Sequence, residues 1–362
     1  MCLCPVVVTR EMLGRKYQQF VPCGKCAECI KDKQNEYMIR TVEEGMKVGN
    51  IWFFTLTYNE DTVPKFDVEG EIDEETGEVE CLTVRSIRNK DITDWKKRVK
   101  RNIEYHSKKR LEYSYLICGE YGPRTHRPHY HGLFMGLTDE QVLKFKKDWE
   151  AKHGFTCFKR VPKFDISKVG KYVVKYITKI KELEDPNVTA GLVEKPRKIT
   201  SVGYGCPTED RLSKMKSEML CESYLKLDDI DNVRNVPVKK LDTLVRKICD
   251  RRHYHLDGHD YKFPGYYKRL IFYVKKYDSF KNKNVLVASE LQKMVSKTLQ
   301  TRIREDFTGK LVEMAAYYNV GEDYEAMSRV AKNVCASEQV SREERAAFIL
   351  EVNLAAARKS RF

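Results

Sequence analysis

Two short patterns in this sequence combine residue types that can do chemistry. His129-Tyr130-His131 opens an apolar run that continues to Phe134. On a strand, residues two apart point to the same face, so both imidazoles are presented together. Glu120 ends the preceding apolar run, just before a Gly/Pro-containing turn from Tyr121 to Pro128. So short a connection brings its carboxylate beside the histidines. Two imidazoles and one carboxylate, with coordination positions left open, suit Mg²⁺ or Mn²⁺ acting as a Lewis acid. The second pattern is Y-x-x-K-Y-x-x-K, comprising Tyr172, Lys175, Tyr176 and Lys179. On a helix, Ile166, Val169, Val173, Ile177 and Ile180 gather on one face. Tyr172 and Tyr176 then emerge one turn apart along the edge of that face, with lysines further round. A tyrosine oxygen can attack a phosphodiester and displace a 3′-hydroxyl, leaving a 5′-phosphotyrosine. Lysines nearby favour the phenolate and the growing negative charge on phosphate. The plainer reading of the two phenols is boundary aromatics reaching water.

A third pattern is Cys23-x-x-Cys26-x-x-Cys29, with Cys2 and Cys4 upstream; five of the twelve cysteines fall in the first 29 residues. In a reducing compartment, clustered cysteines are more often metal ligands than disulfides. Cys23, Cys26 and Cys29 with Cys4, or with Cys2 in its place, make a tetrahedral structural Zn²⁺ site. An iron–sulfur cluster accepts similar spacing, and reduced buried thiols are the plainer alternative. A second H-x-H, His253-Tyr254-His255, is followed by the turn-like Leu256-Asp257-Gly258 and by His259. No apolar strand follows it, so a solvated loop is expected there.

These patterns must be positioned by a chain of 362 residues that is 41% hydrophobic and 33% charged, with a net charge of +14. The basic balance favours a polyanionic partner, nucleic acid before an acidic membrane surface. No apolar run approaches the roughly 20 residues that a spanning helix needs, and no secretory pattern opens the chain, which fits a cytoplasmic protein. Arg85 to Arg110 holds eleven basic and three acidic residues, and 159–181 holds eight and one. Lys96, Lys97, Arg98, Lys100, Arg101, Lys168 and Lys171 are the candidate DNA contacts from these runs.

Ile51 to Tyr58 (IWFFTLTY) predicts a buried strand. Residues 67–80, with eight acidic residues in fourteen, read as an exposed hairpin insertion. Residues 91–103 predict a helix that buries Ile92, Trp95, Val99 and Ile103. Residues 113–118 and 129–135 read as paired strands, 138–153 and 165–180 as helices, with Asp165 or Ser167 at the N-cap of the latter. Another helix begins at Ser341, with Glu344 completing a capping-box pattern. The expected organisation is a Cys-rich segment and helix over 1–45, a core over 46–185, and a mainly helical accessory region over 186–362.

His129-Tyr130-His131, the downstream tyrosine–lysine pattern and the upstream FFTLTY resemble the three ordered motifs of rolling-circle replication initiators of the HUH class. More narrowly, PCGKCAECI at 22–30, WKKRVKR at 95–101, RPHYHGLF at 127–134 and FPGYYKRLIF at 263–272 resemble the replication initiation proteins of microviruses, especially the gokushovirus branch. The resemblance implies an α+β nuclease core, an antiparallel ferredoxin-like sheet flanked by helices. It implies His129 and His131 as metal ligands and Tyr172 and Tyr176 as alternating nucleophiles that nick origin DNA and later rejoin the displaced strand. Single-stranded and origin DNA, a host DNA polymerase and a host helicase are the implied partners, in the bacterial cytoplasm. Two other readings stand beside it. One is a plasmid initiator or transposase with the same chemistry. The other is a non-enzymatic single-strand-binding module whose aromatics stack on bases.

Overall fold

The computed structural model describes residues 6–12, 15–24, 27–72, 79–122, 127–175, 193–220, 230–231, 233, 236–250, 253–279 and 281–317. The chain divides into two compact units, Gln34–Leu212 and a second made of Met1–Lys33 with Ser213–Phe362. Among the described residues no helix is long and apolar enough to cross a membrane.

The first unit is built on a five-stranded antiparallel sheet. Its strands are β3 (Ile51–Tyr58), β6 (Ser114–Tyr121), β7 (Pro128–Met135), β8 (Gly154–Arg160) and β9 (Lys198–Thr200). They lie in the order β8-β3-β7-β6-β9, so the strand carrying the H-x-H pattern is central. A separate pair, β4 (Lys65–Ile72) with β5 (Val79–Arg85), is the acidic insertion, antiparallel as expected; residues 73–78 lie outside the described ones.

The two faces of the sheet do different things. One face presents Phe54, Leu56, Tyr58, Ile117, Tyr121, Tyr130 and Phe134 to a buried core. Two helices cover it, α2 (Asn89–Ser107) and α3 (Asp139–Lys152). From α2 come Ile92, Trp95, Val99 and Ile103, the four residues its sequence period placed inward, and from α3 come Val142, Phe145 and Trp149. The ring of Phe54 crosses over β7 at Gly132, where a Cβ would stand 2.3 Å from the ring. Only glycine admits that approach. A capping box at Thr138 and Gln141 starts α3.

The opposite face is covered by α1 (Ala27–Lys47) and α4 (Ile166–Val174). Met38, Ile39 and Val42 of α1 are buried, and Ser167 of α4 donates to the Met38 sulfur at 3.9 Å. A turn at Val202–Gly205 fastens α1 in place. The Arg40 guanidinium donates to the Tyr204 carbonyl at 2.6 and 3.0 Å, and the Gly205 N–H donates to Glu44 at 2.8 Å. Gly205 has φ +70, and a Cβ there would stand 2.6 Å from the Arg40 carbonyl oxygen, so the latch requires glycine.

Two cations of α2 are not available as the sequence suggested. Lys96 is buried, with its ammonium 3.6 Å from the centre of the Tyr115 ring. Burial, and then repulsion from Lys97, pushes its pKa down to about 8. Arg98 is held across α2 and α3 by the Asp148 carboxylate at 2.5 and 3.0 Å. A lysine whose folded pKa lies below its unfolded one binds fewer protons when folded. The folded state therefore gains stability from Lys96 as pH rises from about 8 to the ordinary 10.5. Lys96→Met is expected to stabilise the unit on the order of 1–3 kcal/mol at pH 7. The advantage shrinks by pH 10 in parallel urea melts; one that does not change with pH contradicts the burial account.

In the second unit, α6 (Val238–Asp250) and α8 (Glu290–Tyr317) pack together through Leu241, Leu244, Val245, Leu291 and Val295. This unit also holds α5 (Glu209–Leu220, from Ser213 onward) and α7 (Gly265–Phe272). The region after 186 is less purely helical than expected. It adds the hairpins β10 (His253–Leu256) with β11 (His259–Lys262) and β12 (Tyr273–Asp278) with β13 (Lys283–Ala288). The expected loop at the second H-x-H is thus a strand. Tyr254 and Leu256 are buried on alternate positions, and Asp257 and Gly258 turn the chain with φ +50 and +74. Two positive φ values at an Asp-Gly pair are the two-residue hairpin turn. His253 and His255 are exposed, with His255 3.1 Å from Asp260. At the other end, β1 (Val6–Met12) and β2 (Arg15–Val21) form a hairpin ahead of the cysteines. The helix predicted from Ser341 lies outside the described residues.

Candidate active site

Strand register assembles the first pattern. Glu120 lies directly opposite His129, and Cys118 opposite His131; on the other side Thr57 faces His129 and Thr55 faces His131. All point to the face covered by α1 and α4. One oxygen of Glu120 sits 3.1 Å from His129 Nε2 and 3.2 Å from His131 Nε2. The ligand atoms of these three residues lie within 4.8 Å of one another. The carboxylate and His131 are buried, and His129 is partly open.

The remaining ring nitrogens are anchored behind. His129 Nδ1 is 3.0 Å from the Arg127 carbonyl oxygen, which only accepts, so this nitrogen carries the proton and donates. His129 Nε2 is then a lone pair facing the carboxylate. His131 Nδ1 is 3.0 Å from the Thr55 hydroxyl. Arg127 is itself tied down, donating to the Tyr58 carbonyl at 2.8 and 3.2 Å. This donor set, two oriented imidazoles and one buried carboxylate, fits a divalent cation. Cys118 is not a further ligand, since burial pushes its thiol up to about 12.

Thr55 was not singled out by sequence, although alternation in FFTLTY puts it on the histidine face. Thr55→Val keeps the shape and removes the hydroxyl that orients His131. About a tenfold loss of metal affinity is expected, read by calorimetric Mn²⁺ titration; an unchanged affinity removes the positioning role.

Helix α4 brings Tyr172 to this site. Ile166, Gly170, Val173 and Val174 are buried, while Tyr172, Lys168, Lys171 and Lys175 are exposed. The Tyr172 ring meets His131 edge-on at 5.8 Å between centres and Phe53 at 5.6 Å. Phe53 also stacks on His131 at 6.0 Å. Other tyrosines near the sheet are committed elsewhere. Tyr58 donates to Asp91 at 2.9 Å and Tyr130 to the Arg88 carbonyl at 2.9 Å. Burial drives both phenols well above their ordinary range, and both point to the core face. Tyr176, Lys179, Cys4 and Cys26 lie outside the described residues.

The two basic runs separate. Lys168, Lys171 and Lys175, with Lys159 on β8, lie on the site side of the sheet. Lys97, Lys100 and Arg101 belong to α2, in the layer behind it. In the second unit, the Cys23 and Cys29 sulfurs are 4.0 Å apart.

An α+β unit with an H-x-H strand at the centre of an antiparallel sheet, a carboxylate beside it and a tyrosine-bearing helix above it has the layout of an HUH nuclease core. Comparison with known proteins agrees with the resemblance read from the motifs. Residues 51–181 match the family described as Replication-associated protein ORF2. Three replication-associated proteins of small phages are similar over more of the chain. That of Spiroplasma virus 4 is 24% identical over 228 residues, 59% of this chain and 66% of the relative. That of Bdellovibrio phage phiMH2K is 26% identical, over 42% of this chain and 40% of the relative. That of Chlamydia phage 1 is 23% identical, over 44% and 38%. The match thus spans less than two thirds of each relative's length. A solved structure of the N-terminal nuclease domain of Minute virus of mice non-structural protein 1 aligns at 9% identity and TM-score 0.17, over 48% of this chain and 79% of that one.

Proposed function

We propose that this protein starts rolling-circle replication by nicking single-stranded origin DNA through a tyrosine. The observation that carries the reading is the Tyr172 ring against His131, within one site with His129 and Glu120. Glu120, His129 and His131 would hold Mg²⁺ or Mn²⁺, which when bound supplies Lewis-acid polarisation of the phosphate oxygens. Tyr172 provides the attacking oxygen. Its bond to phosphorus forms as the bond from phosphorus to the 3′-oxygen breaks. The phenol loses its proton and the 3′-oxygen gains one, so the products are a 5′-phosphotyrosine and a free 3′-hydroxyl. Energy is conserved in the exchange of one phosphodiester for another, so no nucleotide hydrolysis is required. Lys175 favours the phenolate, and Lys168 and Lys171 hold the strand.

Tyr176, one turn on, would take the second cleavage, with Lys179 beside it, and the displaced strand would be rejoined. The 3′-hydroxyl suits extension by a host polymerase, with a host helicase opening the duplex. Lys97, Lys100 and Arg101 would contact DNA away from the scissile phosphate. The reading is tested by incubating the protein with circular single-stranded DNA of its own replicon. Linearisation that needs Mn²⁺ and stops with EDTA supports it. Tight binding without linearisation returns the protein to the single-strand-binding class.

A structural Zn²⁺ held by Cys23, Cys26, Cys29 and Cys4 is a second part of the proposal. Thiolates around a tetrahedral zinc stand roughly 3.8 Å apart, close to the spacing of Cys23 and Cys29. Cys26→Ser is expected to lower zinc content and stability together; an unchanged zinc stoichiometry by elemental analysis removes the site.

A further inference from the structure

Phe53 and Tyr172 wall the histidine–carboxylate site, and the same two rings line a cavity of about 360 Å³. The turn after β8 supplies Val161 and Pro162 to it. That makes a mostly apolar slot, at the small end of the roughly 300–1,000 Å³ that ligand pockets span. Charge sits at its rim, where Lys159 and Lys168 also line it. Flat apolar walls beneath a cationic rim are what an unpaired base and its phosphate require.

One further residue gives the slot a preference. Asp165 lines it and stands at the N-cap of α4. Aspartate there ordinarily accepts from the first-turn N–H groups. This one makes no side-chain cap hydrogen bond. Its carboxylate instead meets Lys168 at 3.0 Å in an open ion pair, an interaction of the weak surface kind. The local sequence thus gives up a cap and keeps an acceptor at the slot.

We propose that the slot receives one unpaired base next to the scissile phosphate, and that Asp165 selects a base with an exocyclic amine over thymine. Cytosine, adenine and guanine each offer an amino N–H to a carboxylate. Thymine offers a single imide N–H between two carbonyls, which a carboxylate repels. The inference rests on the nicking reading above, because Tyr172 is the wall shared by slot and site.

The test begins with the full-length protein and circular single-stranded DNA of its replicon, from which the cleaved position is read. An oligonucleotide spanning that position is then made abasic one nucleotide at a time. The position beside the cleaved bond with the largest loss is refilled with each of the four bases. An advantage of about tenfold in kcat/KM for the amino-bearing bases over thymine is expected, falling to within about twofold in Asp165→Asn. Phe53→Ala is expected to lower cleavage about tenfold with every base, through lost stacking. Equal use of all four bases, or a preference untouched by Asp165→Asn, overturns the selection. If wild type does not cleave, the nicking reading fails by itself. The slot is then read by equilibrium binding of dC, dA and dT oligonucleotides of equal length. A preference against dT that Asp165→Asn removes supports the slot, and equal affinities refute it.

Discussion

Replacing both Tyr172 and Tyr176 with phenylalanine is expected to lower cleavage of origin DNA by at least about 1,000-fold. Affinity for the same strand should stay within about threefold, because stacking needs the ring and not its oxygen. The substitution is mild for the fold. Tyr172 is half-exposed, and a phenylalanine ring keeps its contacts with Phe53 and His131. Single replacements add information. Tyr172→Phe removes the oxygen that stands at the site, so it should block the first cleavage more severely than Tyr176→Phe. Parallel loss of binding and cleavage would mean that the phenols serve recognition. Unchanged cleavage would move the nucleophile elsewhere.

Glu120→Gln carries the second large effect. Glutamine keeps the shape but removes the charge that two imidazole Nε2 atoms face at 3.1 and 3.2 Å. Loss of partners behind metal ligands costs 10–100-fold in affinity, so loss of a carboxylate ligand should cost at least about 100-fold for Mn²⁺. Wild type should also melt higher as Mn²⁺ is added, since a ligand that binds only the folded state stabilises it by mass action. Glu120→Gln should lose that response at the same concentrations, and cleavage should fall with it. A variant that still binds Mn²⁺ as wild type does would show that the histidines work without this carboxylate.

The parts of this site that local rules govern were legible in the sequence. Period-two alternation placed His129 and His131 on one face, and a short turn placed Glu120 across from them. The helical period of 91–103 named the four residues that α2 buries. What needed the fold was sidedness. Nothing local says that α2 covers the face opposite the histidines, so its lysines looked like neighbours of the site. Lys96 reads as one more surface cation until Tyr115 is placed beneath it. Arg98 reads likewise until Asp148, fifty residues later, closes on it. The edge strands β8 and β9 were missed because β9 is only three residues long and both find their partners far along the chain. The hairpin at His253–Leu256 was missed although Asp257-Gly258 was read as a turn. Burial of Tyr254 and Leu256, which makes it a strand, comes from tertiary packing rather than from an apolar run.

The central claim is that a tyrosine oxygen beside the histidine–carboxylate site becomes bonded to DNA phosphate. The most direct measurement is peptide mapping by mass spectrometry of the protein after reaction with its origin strand, Mn²⁺ and nuclease trimming. The account predicts a nucleotide phosphate carried on the peptide that contains Tyr172 and Tyr176, absent when EDTA is added. Cleaved DNA with no adduct on that peptide, or an adduct on another residue, would contradict it.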